Sequence, residues 1–216
     1  MKLSYGEGLR QACSNHSFLL LVVAAGMVSG VAAGWQSLLN QILHFYSDST
    51  VGWLGFANGV SGNIGAVLVG AVSDSLFRRR FKCVILVCLV IELVTLAYFT
   101  LSLPIHNAKV GLLPHTFATL AVPIAIIGAA QSGVSPLMYE LCAELTFPVP
   151  EGTSAGLLAF IWNLSSFCMI FISPVINAND INAIATGTVV VCIAMVCGVK
   201  EVYQRPQNVD EADRSS

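Results

Sequence analysis

The sequence predicts an all-α membrane protein with six transmembrane helices, and three observations lead to this fold class. Of its 216 residues, 56% are hydrophobic and only 10% are charged, whereas soluble domains are about 45–50% apolar and about 25% charged. The mean hydropathy of +0.77 excludes a disordered chain, which needs low hydrophobicity and high charge. Finally, the apolar residues fall in six runs of close to the roughly 20 residues that a helix needs to cross a bilayer.

These runs favour helices because they are continuous, whereas the strands of a membrane barrel alternate between apolar and polar residues. A helix also satisfies its backbone hydrogen bonds within one segment, as lipid requires. The fourth run is the longest and is interrupted by Pro123 and Pro136. The predicted spans are Phe18–Leu43, Gly52–Ser75, Cys83–Leu103, His115–Leu145, Thr153–Ile172 and Asn182–Val199.

The segments outside the spans are polar, and they predict the orientation of the chain. Residues 1–17 are expected to be a cytoplasmic lead-in, residues 18–199 the six-helix bundle and residues 200–216 a cytoplasmic polar tail. Nine of the ten Lys and Arg residues lie in the lead-in, in the tail or between the second and third spans, and only Lys109 lies on the other side. Cytoplasmic loops carry such an excess, so both termini are expected in the cytoplasm.

Glycines recur at helical spacing in three of the spans. In the first span, Gly26, Gly30 and Gly34 are four residues apart and share one helix face. Such faces let helix backbones approach closely in lipid. Either this packing is static or the faces slide during a conformational cycle, and the spacing alone does not separate the two interpretations. The other positions with this pattern are Gly55, Gly59, Gly62, Gly65, Gly152 and Gly156.

The second span closes with the sequence GAVSDSLFRRR, from Gly70 to Arg80. Asp74 and Arg78 are four residues apart and can pair across one helical turn. The Asp74 carboxylate can also face the N-terminus of a neighbouring helix. The alternative is an ordinary basic cluster that stops translocation, which accounts for the arginines but not for Gly70 and Asp74. Asp74 and Arg78 are therefore candidate coupling or gating residues.

The pattern G-x-x-x-D-x-x-x-R-R resembles the signature loop of the major facilitator superfamily. Further along, SPLMYELCAELTFPVPEGTSAGLL, from Ser135 to Leu158, resembles a helix junction of solute carrier family 49, the feline leukaemia virus subgroup C receptor-related transporters. GWLGFA at Gly52–Ala57 and PVPEGTSAG at Pro148–Gly156 are most similar to that family's disrupted in renal carcinoma protein 2 branch. VSGVAAGWQSLLNQ in the first span is similar to the family's seventh helix.

The resemblance implies that the six helices are the C-terminal half of a twelve-helix transporter. Such a carrier moves a small organic solute by alternating access, along a path between two six-helix halves. The expected partners are the lipid bilayer, the solute, and either the missing N-terminal half or another half-carrier, in a lysosomal or plasma membrane. The alternative is a truncated, non-transporting membrane protein that binds or regulates a full-length carrier. With a formal net charge of −2, no nucleic-acid partner is expected.

Three residues are candidates for binding the solute, because polar groups inside a membrane are costly and are functional by default. Asn163 lies near mid-depth in the fifth span, where the resemblance places a cavity glutamine in choline-transporting members; the alternative is a hydrogen bond between helices. Trp35 and Gln36 lie in the outer half of the first span, where the indole either binds a cationic or planar ligand or anchors the helix at the interface. Choline-type members place a tyrosine near Ala33, and this departure favours a vitamin-like solute over choline.

Three carboxylates are further candidates for coupling or gating. Glu92 lies near the centre of the third span, where an ionised carboxylate is unfavourable, so it is either a proton-coupling site or a structural hydrogen-bonding group. Glu140 and Glu144 are four residues apart near the cytoplasmic end of the fourth span. They resemble the family's acidic pair before the junction, which implies a gate-lining role or a salt bridge between halves.

The junction after the fourth span is expected to be rigid. Pro148 and Pro150 cannot continue a helix cleanly, Thr153 or Ser154 is expected to cap the fifth span, and Glu151 suits a helix N-terminus. Nothing in the sequence resembles a nucleophile–base pair, a metal cluster or a phosphate-binding loop. An enzyme is therefore not expected, and neither is a cofactor or a metal. A six-span channel is disfavoured because no filter repeat or ring of pore charges is visible.

Overall fold

The computed structural model describes residues 5–76, 80–103 and 116–200, and within these ranges the regular structure is entirely helical. Six of the helices, α2 and α4 to α8, are long and apolar enough to cross a membrane. The predicted fold class is therefore confirmed. The helices are α1 Tyr5–Ser14, α2 His16–Ser37, α3 Leu39–Ile42, α4 Asp48–Leu76, α5 Phe81–Ser102, α6 Phe117–Thr146, α7 Glu151–Ile172 and α8 Ala178–Gly198, with a 3-10 turn at Ser173–Val175.

The six long helices pack as two triplets that repeat one pattern. Helix α2 packs against α7 and α8, while α6 packs against α4 and α5. Helices α6, α7 and α8 thus repeat the arrangement of α2, α4 and α5. The α2–α7 pair corresponds to the α6–α4 pair and the α2–α8 pair to the α6–α5 pair, while the α2–α6 and α5–α8 pairs each correspond to themselves. Many transporter folds are built from such internal structural repeats. The first triplet, α2 with α7 and α8, meets the second, α6 with α4 and α5, through the α2–α6 and α5–α8 pairs.

Glycines set the spacing of the α2–α7 and α4–α6 pairs. A Cβ atom at Gly26 would lie 2.5 Å from the Ile161 side chain, and one at Gly133 would lie 2.6 Å from the Val69 side chain. Any larger residue at these positions would push the helices apart, so the predicted close packing is found. It involves Gly26, Gly30, Gly34, Gly62 and Gly65, whereas a Cβ at Gly55, Gly59, Gly152 or Gly156 would meet no neighbouring atom of the described residues within 4 Å.

Hydrogen bonds between helix termini fasten one end of the bundle. Helices α2 and α5 begin at this end, and α6 and α8 finish there, as alternating crossings require. The first and last described spans therefore start and finish on the same side. The cross-links run from Asn15 Nδ2 to the Leu145 carbonyl (2.8 Å), from Lys82 Nζ to the Val199 carbonyl (2.6 Å) and from the Lys200 N–H to Ser17 Oγ (3.3 Å).

The first transmembrane helix is shorter than the span predicted for it. Helix α2 ends at Ser37, because the N–H of Leu38 is shared between two carbonyls of the preceding turn and the helix tightens there. The short helix α3 follows and is anchored by Gln41, whose Nε2 donates to the Ser173 carbonyl at 2.8 Å. The predicted lead-in also contains a helix, α1, which contacts α2 and α7.

The prolines of the fourth span do not break its helix, and the capping expected for the fifth span is wrong. Helix α6 is not interrupted, since it runs continuously through both Pro123 and Pro136; helices packed on either side tolerate proline at membrane depth. Thr153 and Ser154 do not cap α7, because the helix already begins at Glu151 and both side chains are buried inside it. The Ser154 hydroxyl donates to the Glu151 carbonyl at 3.0 Å.

Candidate solute-binding site

A cavity of about 280 Å³ lies between α2, α4, α6 and α7. Most of its wall consists of small, hydroxyl or amide side chains, and two indoles complete it. Ligand sites in proteins place polar groups among apolar and aromatic side chains, in volumes from about 300 Å³ upward, and this cavity is at the small end of that range. The cavity therefore suits a small organic molecule. It is lined by Ser29, Ala32, Ala33, Trp35, Gln36, Asn58, Ile127, Gly128, Gln131, Ser132, Ser135 and Trp162.

Three hydrogen-bonded side chains cross the bundle beside this cavity. Glu92 on α5 is 2% exposed, and Gln131 on α6 reaches it. With the amide nitrogen turned to the carboxylate, Gln131 Nε2 donates to Glu92 Oε2 at 2.9 Å and to Oε1 at 3.2 Å, and its oxygen accepts from Ser29 Oγ on α2 at 3.2 Å. These bonds offset the cost of burying a carboxyl group. Because Ser29 and Gln131 line the cavity, the network links Glu92 to its wall.

Trp35 lines the cavity although it is almost fully buried. The side chain is 2% exposed, its Nε1 donates to Asn182 Oδ1 on α8 at 2.7 Å, and its ring meets Phe99 edge-on with the centroids 5.4 Å apart. It also lines a second void of about 10 Å³ beside Glu92, close to the 10–15 Å³ or so that one water needs. The N–H of the indole is therefore already hydrogen-bonded within the bundle.

Proline and glycine shape the α6 wall of the cavity. Pro136 has no N–H, so the Ser132 carbonyl lacks the helical donor four residues further on. Asn58 on α4 is buried and donates Nδ2 to the Ile124 carbonyl at 2.8 Å. Gly128 makes this contact possible, because a Cβ there would collide with the Asn58 backbone. Polar groups of two helices thus meet at the cavity.

The structure brings two of the three predicted solute-binding residues together. Gln36 is exposed and lines the cavity beside Trp35. Asn163 lies apart from both, on an exposed face of α7, and its Nδ2 donates to the Ala159 carbonyl of its own helix at 2.7 Å. Asn163 is not among the residues that line the cavity.

Glu140 and Glu144, two of the predicted gating residues, lie toward one end of the bundle. Glu140 is exposed and Glu144 is half-buried on the last turns of α6, near the end that Asn15 fastens. Asp74 belongs to the end of α4, but its side chain and the whole of Arg78 lie outside the described residues. The pairing of Asp74 with Arg78 therefore stays a prediction.

Sequence reasoning missed Asn58, Gln131 and Trp162 as cavity residues. The signal that identified Asn163, an amide in an apolar span, is also present at Asn58 and Gln131. The sequence signal does not show which neighbouring helix each amide side chain faces. Among the residues that the structure describes, no group of three or more His, Cys, Asp or Glu side chains is arranged to hold a metal ion.

No protein-family model matches the chain, but curated proteins do. The chain is 30% identical over 208 residues to a solute carrier family 49 member 4 homolog of Xenopus tropicalis, a match that covers 94% of the chain and 45% of that relative. It is 28% identical over 199 residues to the choline/ethanolamine transporter FLVCR1 of Mus musculus, covering 91% of the chain and 33% of the relative. An uncharacterized MFS-type transporter of Caenorhabditis elegans is 24% identical over 204 residues, with coverages of 91% and 33%.

The six apolar helices and these relatives define an integral, multi-pass membrane protein that is homologous to transporters of the major facilitator type. Within that class the chain is a homologue of solute carrier family 49, which confirms the resemblance predicted from the loop and junction motifs. The chain spans about half the length, or less, of these curated relatives. Their names are those of transporters and not of enzymes.

Proposed function

We propose that the chain forms one half of a solute carrier that moves a small organic molecule by alternating access. The observation that supports this most directly is the cavity of about 280 Å³ between α2, α4, α6 and α7. Its hydroxyl and amide groups are placed among apolar side chains, as at a ligand site. In folds built from repeats, solute sites lie at such helix interfaces near the membrane midplane.

Exposed apolar faces on α4 and α7 support a second half as the partner. These two helices are the least buried of the six spans, and both reach the cavity, through Asn58 and Trp162. Helix α4 exposes Trp53 (64%), and α7 exposes Phe171 (72%). Lipid covers part of this apolar surface, and a second six-helix unit covers the part beside the cavity. The chain's share of 45% of the Xenopus relative's length is consistent with that assignment.

The proposed solute is neutral or planar, such as a vitamin-like molecule, rather than a quaternary cation. Aromatic faces bind quaternary ammonium groups. Of the two indoles at the cavity, Trp35 is 2% exposed and packs against Phe99, and its neighbours Ala32 and Ala33 add no ring to the wall, so Trp162 is the main aromatic group there. The relative FLVCR1 is named as a choline/ethanolamine transporter, so choline is the competing solute. Gln36 contacts the solute in the cavity, and Asn163 lines the path only where the second unit covers its face of α7.

The remaining roles follow from alternating access. Asp74 with Arg78 and the pair Glu140 and Glu144 form gates at the end where α6 and α8 finish. This end faces the cytoplasm, since the sequence segments that adjoin it contain most of the basic residues. The host membrane is lysosomal or plasma membrane.

Reconstitution tests the proposal. The chain is placed in liposomes alone and together with the part of the Xenopus relative that it does not match, and uptake of labelled nicotinamide and choline is measured. Uptake that needs both polypeptides supports the half-carrier, and saturable nicotinamide uptake supports the solute class. The regulatory alternative predicts no uptake by either combination but a changed rate when an intact carrier is co-reconstituted. That result would replace the proposed function.

A further inference from the structure

The amide of Gln131 lies between a buried carboxyl group and the cavity. On one side, its amide group is in hydrogen-bonding distance of both Glu92 oxygens, at 2.9 and 3.2 Å. On the other side, 3.2 Å separates it from Ser29 Oγ. Ser29 and Gln131 line the cavity of about 280 Å³, while Glu92 lines only the small void on the far side. The amide of Gln131 therefore connects Glu92 by hydrogen bonds to the wall of the cavity.

Two orientations of the Gln131 amide fit these contacts, and each matches one protonation state of Glu92. An ionised carboxylate only accepts hydrogen bonds, so the amide NH₂ turns to Glu92 and the amide oxygen accepts from the Ser29 hydroxyl. A protonated carboxyl group has an O–H to donate. With the amide oxygen turned to Glu92, that oxygen accepts this bond and the NH₂ donates to Ser29 Oγ. Amide oxygen and nitrogen are nearly equal in size, so the flip needs no repacking.

The flip changes what Ser29 offers to the cavity. While Glu92 is ionised, the Ser29 O–H donates to the Gln131 amide oxygen, and Ser29 can only accept a hydrogen bond from the cavity. When Glu92 is protonated, Ser29 Oγ accepts from the amide, and its O–H is released to donate toward the cavity. The same wall therefore accepts hydrogen bonds in one state and donates them in the other.

Two titratable groups on neighbouring helix positions face Glu92 within the described part of the chain. They are the thiols of Cys88 on α5 and Cys192 on α8. Helices α2 and α6 face it with Ser29 and Gln131, which do not titrate. The nearest basic residue on α5, Lys82, is about 15 Å of helix away. Among the described residues, Glu92 is thus the group whose proton sets the amide.

We propose that proton uptake by Glu92 flips the Gln131 amide and makes the cavity prefer a solute with a hydrogen-bond acceptor, whereas proton release makes it prefer a donor. The proton comes from the aqueous phase and returns to it, so solute and proton binding are coupled reciprocally. The inference rests on the proposed function, since it assigns the cavity to a solute. It gives Glu92 a coupling role that a purely structural hydrogen bond lacks.

Binding of two matched probes tests this switch without any need for transport. Pyridine N-oxide is an acceptor only and pyrrole is an N–H donor only; both are small, neutral rings. Their affinities for the full chain in lipid nanodiscs are measured from acidic to alkaline pH, with empty nanodiscs as the control. We expect pyridine N-oxide to bind roughly three- to tenfold more tightly on the acidic side and pyrrole to show the opposite trend, as one hydrogen bond provides.

Variants and infrared spectra locate the effect. Glu92→Gln is expected to abolish the pH dependence for both probes, and Ser29→Ala to abolish it while the carboxyl C=O band of Glu92 still titrates. In chains with isotope-labelled glutamine, the side-chain amide band is expected to shift with the same midpoint as that carboxyl band. An amide band that stays fixed while Glu92 titrates, or a carboxyl band that does not titrate at all, overturns the switch.

The spectra also separate this inference from the proposed function. If the amide band follows the carboxyl band but the reconstituted chain moves no solute with any partner, the switch is supported and the half-carrier proposal is contradicted. If solute is transported while the amide band is independent of pH, the half-carrier proposal is supported and the switch is contradicted.

Discussion

The indole N–H of Trp35 donates to Asn182 Oδ1 at 2.7 Å, joining the end of α2 to the beginning of α8 across 147 positions of sequence. Both side chains are buried, and the edge of Phe99 from α5 closes the contact. A buried acceptor that loses its donor retains its full desolvation penalty. This hydrogen bond and the ring contact with Phe99 therefore join α2, α8 and α5 at one place in the bundle.

A double-mutant cycle measures this bond. Trp35→Phe and Asn182→Leu are each expected to lower the free energy of unfolding by about 1–3 kcal/mol, because each leaves a buried polar partner unpaired. The double variant is expected to lose less than the sum, with a coupling of roughly 1 kcal/mol. Unfolding is followed by denaturant titration in detergent. Trp53→Phe, at a ring 64% exposed on α4, is the control, and additive losses would contradict the cycle.

Gly30 is expected to tolerate no side chain. A Cβ there would lie 2.6 Å from Ser165 Cβ and would also meet the Trp162 carbonyl, so Gly30→Ala forces α2 and α7 apart at a cost of about 1–3 kcal/mol. The matched control is Gly187→Ala on α8, where nothing lies within 4 Å of the new atom and a gain of roughly 0.5–1 kcal/mol is expected from the stiffer helix. Thermal unfolding in detergent measures both, and equal midpoints would refute the packing argument.

Lys82 is expected to hold the end of α8 closed. Its Nζ donates to the Cys197 carbonyl at 2.8 Å and to the Val199 carbonyl at 2.6 Å, where a cation also favours the helix C-terminus. Lys82→Met removes a charged donor worth roughly 1.5–3 kcal/mol, so amide hydrogen exchange in the last turn of α8 should rise tenfold or more. In Lys200→Met, whose contact with Ser17 uses the backbone N–H, exchange should not change.

Gln36 is expected to affect solute affinity in the assembled carrier. Its side chain lines the cavity, so Gln36→Leu removes one hydrogen bond to the solute and raises KM roughly three- to tenfold. Thr95→Val on α5 serves as the control, because its hydroxyl only donates to the Ile91 carbonyl of its own helix. Uptake into liposomes gives both values. Equal KM values for Gln36→Leu and the unmodified carrier would remove Gln36 from the site.

The predicted orientation is tested by labelling. Arg79→Cys and Lys109→Cys place a thiol in each of two loops that lie outside the described residues. The excess of basic residues predicts that a membrane-impermeant maleimide reaches position 79 only from the cytoplasmic side and position 109 only from the other side. Labelling of both positions from one side would contradict the six-span topology. The exposed native Cys13 is expected to behave like position 79.

The spans were predictable because the property that defines them is local. Apolar length alone located α5, predicted as Cys83–Leu103 and found as Phe81–Ser102. The motifs in the loop and junction likewise identified the family that the relatives confirm. Capping was less predictable, since Thr153 and Ser154 are ordinary capping residues and yet α7 begins before them. The amphipathic helix α1 was missed because it is too short and polar for a span criterion.

The sequence by itself determined that the chain crosses a membrane six times, because each crossing depends on the transfer of one continuous segment into lipid. Only the tertiary structure decided which polar groups meet. Ser29, Glu92 and Gln131 lie on three different helices, and no spacing in the sequence relates residues that far apart. Their hydrogen bonds exist because α6 packs against both α2 and α5, and this packing is a property of the whole bundle.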